Sequence, residues 1–138
     1  PMAVGKENEL ATLSEADRRL LAADETLIDA STAMQLSHPP KPYSIFNIKL
    51  MKSGGIRGAR EIGIIAANSG IDLFWGCNDE SMVSIAAALH VAYSCSNTKY
   101  LDLDGSFDLS SDLVTGGFIL KDGHLLCSDQ PGLGLRKI

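Results

Sequence analysis

Polar side chains follow each of four apolar runs in this sequence. In chain order they are Asp24 with Glu25, then Asn47 with Lys49, then Asn78 to Glu80, then Asp102 with Asp104. Ligands bind at the carboxyl ends of parallel strands, so side chains that follow successive strands are expected to converge there. Carboxylates bind cations and a lysine carries protons. The combination predicts a site that holds a cation and moves a proton.

The motif "YLDLDG", residues 100–105, places two carboxylates two positions apart. Asp102 and Asp104 alternate with leucines, which predicts a strand with both carboxylates on one face, about 7 Å apart. Two like charges so placed repel unless a cation lies between them, and a substrate ammonium or a metal would serve. A solvated strand end is the alternative, and for this motif alone it is the simpler explanation.

Lys49 lies in a segment whose apolar residues alternate as in a strand: Phe46, Ile48 and Leu50. Lys49 therefore faces away from the apolar stripe, and Lys52, one residue out of phase, is expected to point elsewhere. Burial beside a cation makes a lysine a usable general base. The alternatives are that Lys49 reaches the sheet edge or pairs with a structural carboxylate, and that Asp24 caps the next helix. Only jointly do these residues favour a site.

Helical patterns separate the four apolar runs. Residues 27–36, 56–70 and 81–94 have apolar residues at helical spacing, and residues 68–70 form a stop signal. Helices between apolar strands indicate β-α-β units, and hence an α/β fold with a parallel sheet covered by helices. Further along, the pattern changes to a short hairpin with a turn at Lys121, Asp122 and Gly123, followed by a glycine-rich tail.

The composition narrows the class of function. The 138 residues are enough for one domain with a core, and a net charge of -5 gives no support to nucleic-acid binding. We find no apolar run of membrane-spanning length and no signal peptide. The three cysteines are widely spaced, which argues against a disulfide framework and fits a reducing cytoplasm.

Five motifs carry a resemblance to a known family: "AADET", "NIKLMKSGGI", "GCNDES", "YLDLDG" and "PGLG". In order and spacing they resemble the enolase superfamily, in its muconate-lactonising-enzyme-like branch, and within it the dipeptide epimerases of the L-Ala-D/L-Glu type. The resemblance implies an α/β fold in which residues 1–115 are the C-terminal half, the fifth to eighth strands, of a TIM-like (β/α)7β barrel. Residues 116–138 would be a hairpin and tail that return to the capping domain.

The resemblance also implies roles for individual residues. Asp24 would be a ligand of Mg²⁺, and Lys49 would be the acid/base group on one face of the substrate α-carbon. Cys77 would contact the substrate through its backbone, and Asp102 and Asp104 would hold the α-ammonium of a small dipeptide. The implied enzyme is a Mg²⁺-dependent isomerase that interconverts dipeptide stereoisomers by removing and returning the α-proton through an enolate.

The sequence departs from the family pattern in several respects. It lacks the capping domain, the K-x-K strand with the second lysine, and two earlier metal carboxylates, so we expect the N-terminal half of the same protein to complete the site. Asn78 and Asp79 stand where the branch often has methionine and an apolar residue, which leaves the preferred dipeptide open. The oligomeric state is open as well.

Three other reactions of the superfamily are alternatives: those of N-acylamino-acid racemase, o-succinylbenzoate synthase and muconate cycloisomerase. Asp102 and Asp104 speak against them, because their substrates carry no free ammonium at that position. A catalytically inactive fragment that retains the barrel architecture is a further alternative.

Overall fold

Four parallel strands form the central sheet in a computed structural model, which describes residues 2–138. They lie side by side in chain order, and their bounds are β1, Ala22–Ala23; β2, Ile45–Ile48; β3, Asp72–Trp75; and β4, Thr98–Leu101. All three strand pairings are parallel. The predicted α/β fold with a parallel sheet is therefore confirmed. Pro1 lies outside the described residues.

Helices precede and connect these strands. A 3₁₀ helix spans Glu7–Thr12, and the α-helices are α1, Glu15–Arg18; α2, Ala30–Leu36; α3, Gly55–Asn68; and α4, Met82–Tyr93. Helix α2 begins later than its apolar pattern because the side chain of Asp29 accepts a hydrogen bond from Thr32 N at 2.8 Å and caps it. The alternative in which Asp24 caps this helix is therefore wrong.

The hydrophobic core lies between the sheet and its helices. Strand residues on the helix-facing side are at most 1% exposed: Phe46, Ile48, Leu73 and Trp75. Helix α3 buries Ala59, Ile62, Gly63 and Ala66, at the helical spacing expected for residues 56–70, whereas Ile56 is exposed. Small residues on this face let α3 pack closely against the strands. This close packing fixes the positions of the strand ends.

Two strands are shorter than their alternating patterns predicted. Strand β2 ends at Ile48, so Lys49 is the first residue after it, and the chain then turns with Lys52 N and Ser53 N both bonded to Lys49 O, at 3.0 and 3.1 Å. Strand β4 ends at Leu101, so the aspartates of "YLDLDG" lie in the following loop. The expectation that these aspartates belong to a strand is wrong, because apolar alternation continues beyond the last residue of β4.

The C-terminal residues form two antiparallel pairs beside helix α4. Strand β5, Val114–Gly116, pairs with β8, Leu135–Lys137, and β6, Phe118–Lys121, pairs with β7, His124–Cys127. Asp122 and Gly123 have φ angles of 50° and 76°, as a two-residue hairpin turn of this kind requires, so the predicted turn is confirmed. Helix α4 contacts β5 and β7. The domain boundary at residue 116 stays a prediction.

Two sequence expectations concern the chain as a whole. The three cysteines, Cys77, Cys95 and Cys127, are free thiols. Within residues 2–138, none of the helices combines the length and apolarity needed to cross a membrane.

Gly58 permits the tight connection between β2 and α3. A Cβ at this position would overlap the backbone oxygen of Ser53. We expect Gly58→Ala to lower the free energy of unfolding by about 1–3 kcal/mol in urea denaturation, as overpacking does. Arg60→Ala, at an exposed position of the same helix, should change it by less than about 0.5 kcal/mol. A Gly58→Ala chain as stable as the parent would contradict this packing.

Candidate functional site

The predicted site residues lie at one edge of the parallel sheet. Asp24 follows β1 directly, Lys49 follows β2, Cys77 follows β3 after one glycine, and Asp102 follows β4 directly. Because the four strands are parallel, these positions share the carboxyl edge of the sheet, where α/β folds bind their ligands. The hydrogen bonds and ion pairs of residues 2–138 divide them into two groups.

Asp24 and Lys49 form the first group together with Lys52. Lys49 Nζ lies 3.3 Å from Asp24 Oδ1, and Lys52 Nζ lies 2.5 Å from the same oxygen. Lys52 Nζ also donates to the backbone oxygen of Asp24 at 2.9 Å. Both ammonium groups approach Glu25 Oε1, at 3.7 and 3.5 Å. The lysine side chains are only 13% and 14% exposed, whereas that of Asp24 is 41% exposed and can be reached from outside.

Lys52 lies where the sequence interpretation did not place it. The expectation that it points away from Lys49 is wrong, because it applied strand alternation beyond the end of β2. The chain from Lys49 to Ser53 is a turn, and residues three positions apart in a helical turn lie on the same side. The spacing K-x-x-K before "SGG" was the signal that could have indicated this arrangement.

The pKa of Asp24 lies below its ordinary value of 3.8. Burial of the carboxyl group raises the pKa, but the hydrogen bond and charge of Lys52, followed by those of Lys49, lower it by more. Asp24 therefore stays ionised at neutral pH and offers a negative oxygen ligand. This electrostatic balance depends more on Lys52 than on Lys49.

Asp24 supplies only part of a magnesium site. Mg²⁺ requires about six oxygen ligands, usually one or two carboxylates with waters and substrate oxygens. Both lysine contacts fall on Oδ1, and within residues 2–138 no hydrogen bond or ion pair falls on Oδ2. No three His, Cys, Asp or Glu side chains of these residues come together at metal-binding distances. The Asp24 carboxylate therefore fits as one ligand of a hard cation but does not form a complete site within residues 2–138.

Cys77, Asp102 and Asp104 form the second group. Cys77 Sγ lies 3.3 Å from the backbone oxygen of Asp102 and 3.7 Å from Asp104 Oδ1. The loop continues the sheet for one residue, since Asp102 N bonds to Trp75 O at 2.8 Å. Both aspartates are exposed while Leu103 between them is 3% exposed. Exposed and buried side chains therefore alternate along residues 102–104, as the sequence indicated, although the segment is not a strand.

The pKa of the Cys77 thiol is raised. Burial is the largest cause, and the charge of Asp104 acts in the same direction. The thiol therefore stays protonated at neutral pH and keeps a hydrogen to donate. It is an uncharged polar group between two acidic residues.

The polar run after β3 has mixed roles. Glu80 is 4% exposed and accepts hydrogen bonds from Asn78 N, at 2.8 Å, and from the hydroxyl of Ser84. It therefore joins the loop to helix α4. Asn78 and Asp79, in contrast, are exposed beside Cys77.

Comparison with known proteins supplies a family. A family model described as "Enolase C-terminal domain-like" matches residues 1–136. The chain is 56% identical over 135 residues to the L-Lys-D/L-Arg epimerase of Methylococcus capsulatus, which covers 98% of this chain and 38% of that protein. It is 36% identical over 119 residues to the L-Ala-D/L-Glu epimerase of Clostridium acetobutylicum, which covers 84% of this chain and 32% of that protein.

A solved structure matches this chain at high similarity. It is the dipeptide epimerase of Methylococcus capsulatus complexed with Mg and the dipeptide L-Arg-D-Lys. The TM-score is 0.96 at 56% identity, over 98% of this chain and 38% of that one. The chain therefore spans less than two fifths of the relatives that it matches.

Lys52→Met should make the stability of the chain less dependent on pH. Because the pKa of Asp24 is lowered on folding, its ionised form contributes stability above the ordinary value of 3.8, and this contribution is lost as the pH falls through the lower folded-state pKa. Lys52→Met removes the side chain that lowers the pKa of Asp24 the most. We expect a loss of about 0.2–1 kcal/mol at pH 7, given the partial exposure of the pair, and a much smaller loss at acid pH.

Urea unfolding at several pH values measures this difference. Lys41→Met is the matched control, because Lys41 Nζ donates to the backbone oxygen of Ser69 and forms no ion pair within residues 2–138. Its effect on the free energy of unfolding should not change as carboxylates titrate. A Lys52→Met loss of equal size at neutral and acid pH would contradict the Asp24 pairing.

Proposed function

The chain belongs to the Enolase C-terminal domain-like family of the enolase superfamily, and from that premise we propose that it is the C-terminal part of a Mg²⁺-dependent dipeptide epimerase. The observation that carries the proposal is the contact of Lys49 Nζ with Asp24 Oδ1, at 3.3 Å on the carboxyl edge of the sheet. A proton carrier and a cation-binding carboxylate are thereby adjacent. The relatives named above support the reaction class.

In the proposed reaction, Lys49 removes or returns the α-proton of the C-terminal residue on one face of the α-carbon. Asp102 and Asp104 hold the substrate's α-ammonium, which supplies the cation that two neighbouring carboxylates favour. Asp24 would be a ligand of Mg²⁺, which when bound would stabilise the negative charge that develops on the substrate carboxylate. The Lys49 side chain is only 13% exposed, so little of it is open to water.

Further groups outside these 138 residues would complete the proposed site. Asp24 is a single ligand, and Lys49 serves one face of the α-carbon, whereas an epimerase needs a proton carrier on each. The sheet also has an exposed flank, since Tyr100 and Leu101 on edge strand β4 are 50% and 45% exposed. Exposed strand edges are usually covered in native proteins. This supports a barrel whose remaining strands pair with β1 and β4.

The dipeptide type is part of the proposal. The L-Ala-D/L-Glu type predicted from the sequence has support from the relative at 36% identity. A second candidate, the L-Lys-D/L-Arg type, has support from the relative at 56% identity. Within residues 2–138, the exposed Asp79, Asp102 and Asp104 take part in no ion pair, and uncompensated carboxylates suit a cationic dipeptide.

The function can be tested in a chimera in which residues 1–136 replace the matching segment of the Methylococcus capsulatus epimerase. We expect Mg²⁺-dependent α-proton exchange of dipeptides in D₂O, followed by NMR, and no exchange by the 138-residue chain alone. Comparing Ala-Glu with Lys-Arg dipeptides decides between the two substrate types. A folded chimera without exchange of either dipeptide would refute the epimerase proposal, and exchange by the chain alone would refute the need for further groups.

Lys49→Ala in the same chimera tests the proton carrier. We expect exchange from one stereoisomer of the C-terminal residue to fall by at least about 100-fold, because general acid–base catalysis contributes that much. Lys41→Ala, away from this edge, should leave both rates unchanged. If Lys49 were only a structural partner of Asp24, both stereoisomers would lose rate equally.

Asp102→Asn tests the ammonium site. We expect KM for a dipeptide with a free α-ammonium to rise about tenfold, which corresponds to about 1.4 kcal/mol, while an N-acylated analogue is little affected. Asp108→Asn, at an exposed position farther along the loop, should leave both values unchanged. An equal rise in KM for the two substrates would contradict the proposed binding of the ammonium by Asp102.

A further inference from the structure

The thiol of Cys77 joins the end of β3 to the loop after β4. It contacts the backbone oxygen of Asp102 at 3.3 Å and Asp104 Oδ1 at 3.7 Å, and it accepts a hydrogen bond from Gly105 N at 3.3 Å. Three residues of the acidic loop, Asp102, Asp104 and Gly105, thus contact one sulfur atom. The family resemblance assigns only the backbone of Cys77 to substrate contact, so these side-chain contacts are unaccounted for.

The loop approaches Cys77 closely because Gly105 has no side chain. A Cβ at Gly105 would overlap the backbone oxygen of Asn78 and would lie 3.1 Å from Cys77 Sγ. Any larger residue would push the loop away from the thiol. Glycine and thiol together therefore determine where the Asp102–Gly105 segment sits relative to β3.

The contacts bear on Asp104 more than on Asp102. Asp104 Oδ1 is within reach of the thiol hydrogen, whereas the Asp102 side chain makes no hydrogen bond or ion pair within residues 2–138. A protonated thiol has one hydrogen, which it donates either to the backbone oxygen of Asp102 or to the Asp104 carboxylate. Either hydrogen bond restrains the loop that carries the two carboxylates.

We propose that the Cys77 side chain is a positioning residue that holds the Asp102–Gly105 loop and the Asp104 carboxylate in place to receive the α-ammonium of the substrate. The role rests on the proposed function for its substrate. The thiol touches no reacting atom, and it acts on binding through the loop. Loss of the thiol should therefore weaken substrate binding and leave proton transfer unchanged.

The loop contact can be tested without catalysis. In the 138-residue chain, we expect Cys77→Ala to speed hydrogen exchange of the Gly105 amide, because its acceptor is lost, and Cys77→Ser to restore much of the protection. Cys95→Ala, at another partly buried free thiol, is the matched control and should leave Gly105 unchanged. Equal protection in the parent chain and in Cys77→Ala would overturn the proposal.

Kinetics in the chimera test the consequence for substrate. Cys77→Ala should raise KM for a dipeptide about fivefold, as the loss of one hydrogen bond would, with kcat nearly unchanged. Cys77→Ser should recover most of that loss, and an N-acylated analogue without an ammonium should not respond. A purely structural role would lower kcat or affect both substrates alike, and either result would overturn the positioning role.

The two experiments distinguish the failure of this inference from the failure of the epimerase proposal. A folded chimera without dipeptide exchange refutes the function, and with it the substrate part of the inference. Exchange protection at Gly105 then still decides whether the thiol holds the loop. An active chimera whose KM does not change in Cys77→Ala refutes the positioning role alone.

Discussion

The contact of two lysines with one oxygen of Asp24 is the interaction on which the candidate site depends. It exists because β1 and β2 are parallel neighbours, with Ala23 opposite Phe46, so that the residues after each strand emerge side by side. The turn after Lys49 then brings Lys52 back to the same carboxylate. The ionised Asp24 carboxylate, its partial exposure and the position of Lys49, the proposed proton carrier, all follow from this arrangement.

The two groups of residues differ in charge, and this difference matches their proposed roles. The group at Asp24 has two ammonium ions beside two carboxylates, which suits a place where a further cation and a substrate carboxylate meet. The group at Cys77 is acidic and has an uncharged thiol between its acids, which suits an ammonium. A dipeptide carries both kinds of charge at a short distance. One edge of a single sheet thus presents complementary features to both ends of such a substrate.

Much of this organisation could be predicted from the sequence, and the errors have a common cause. The buried residues of α3 and the Asp122–Gly123 turn follow from short-range patterns, which the structure confirms. The ends of β2 and β4 did not follow, because apolar residues continue to alternate beyond the last residue of each strand. That error placed Lys52 on the wrong side and assigned the two aspartates to a strand.

The sequence by itself determined the alternation of strands and helices, the polar residues at strand ends and the resemblance to a family, because these depend on residue type and local spacing. Only the tertiary structure decided that Lys52 reaches Asp24 and that the Cys77 thiol contacts the Asp102–Gly105 loop. These contacts join residues 28 and 25 positions apart. They depend on parallel register and on the path of turns, and neither is encoded in the periodicity of a single segment.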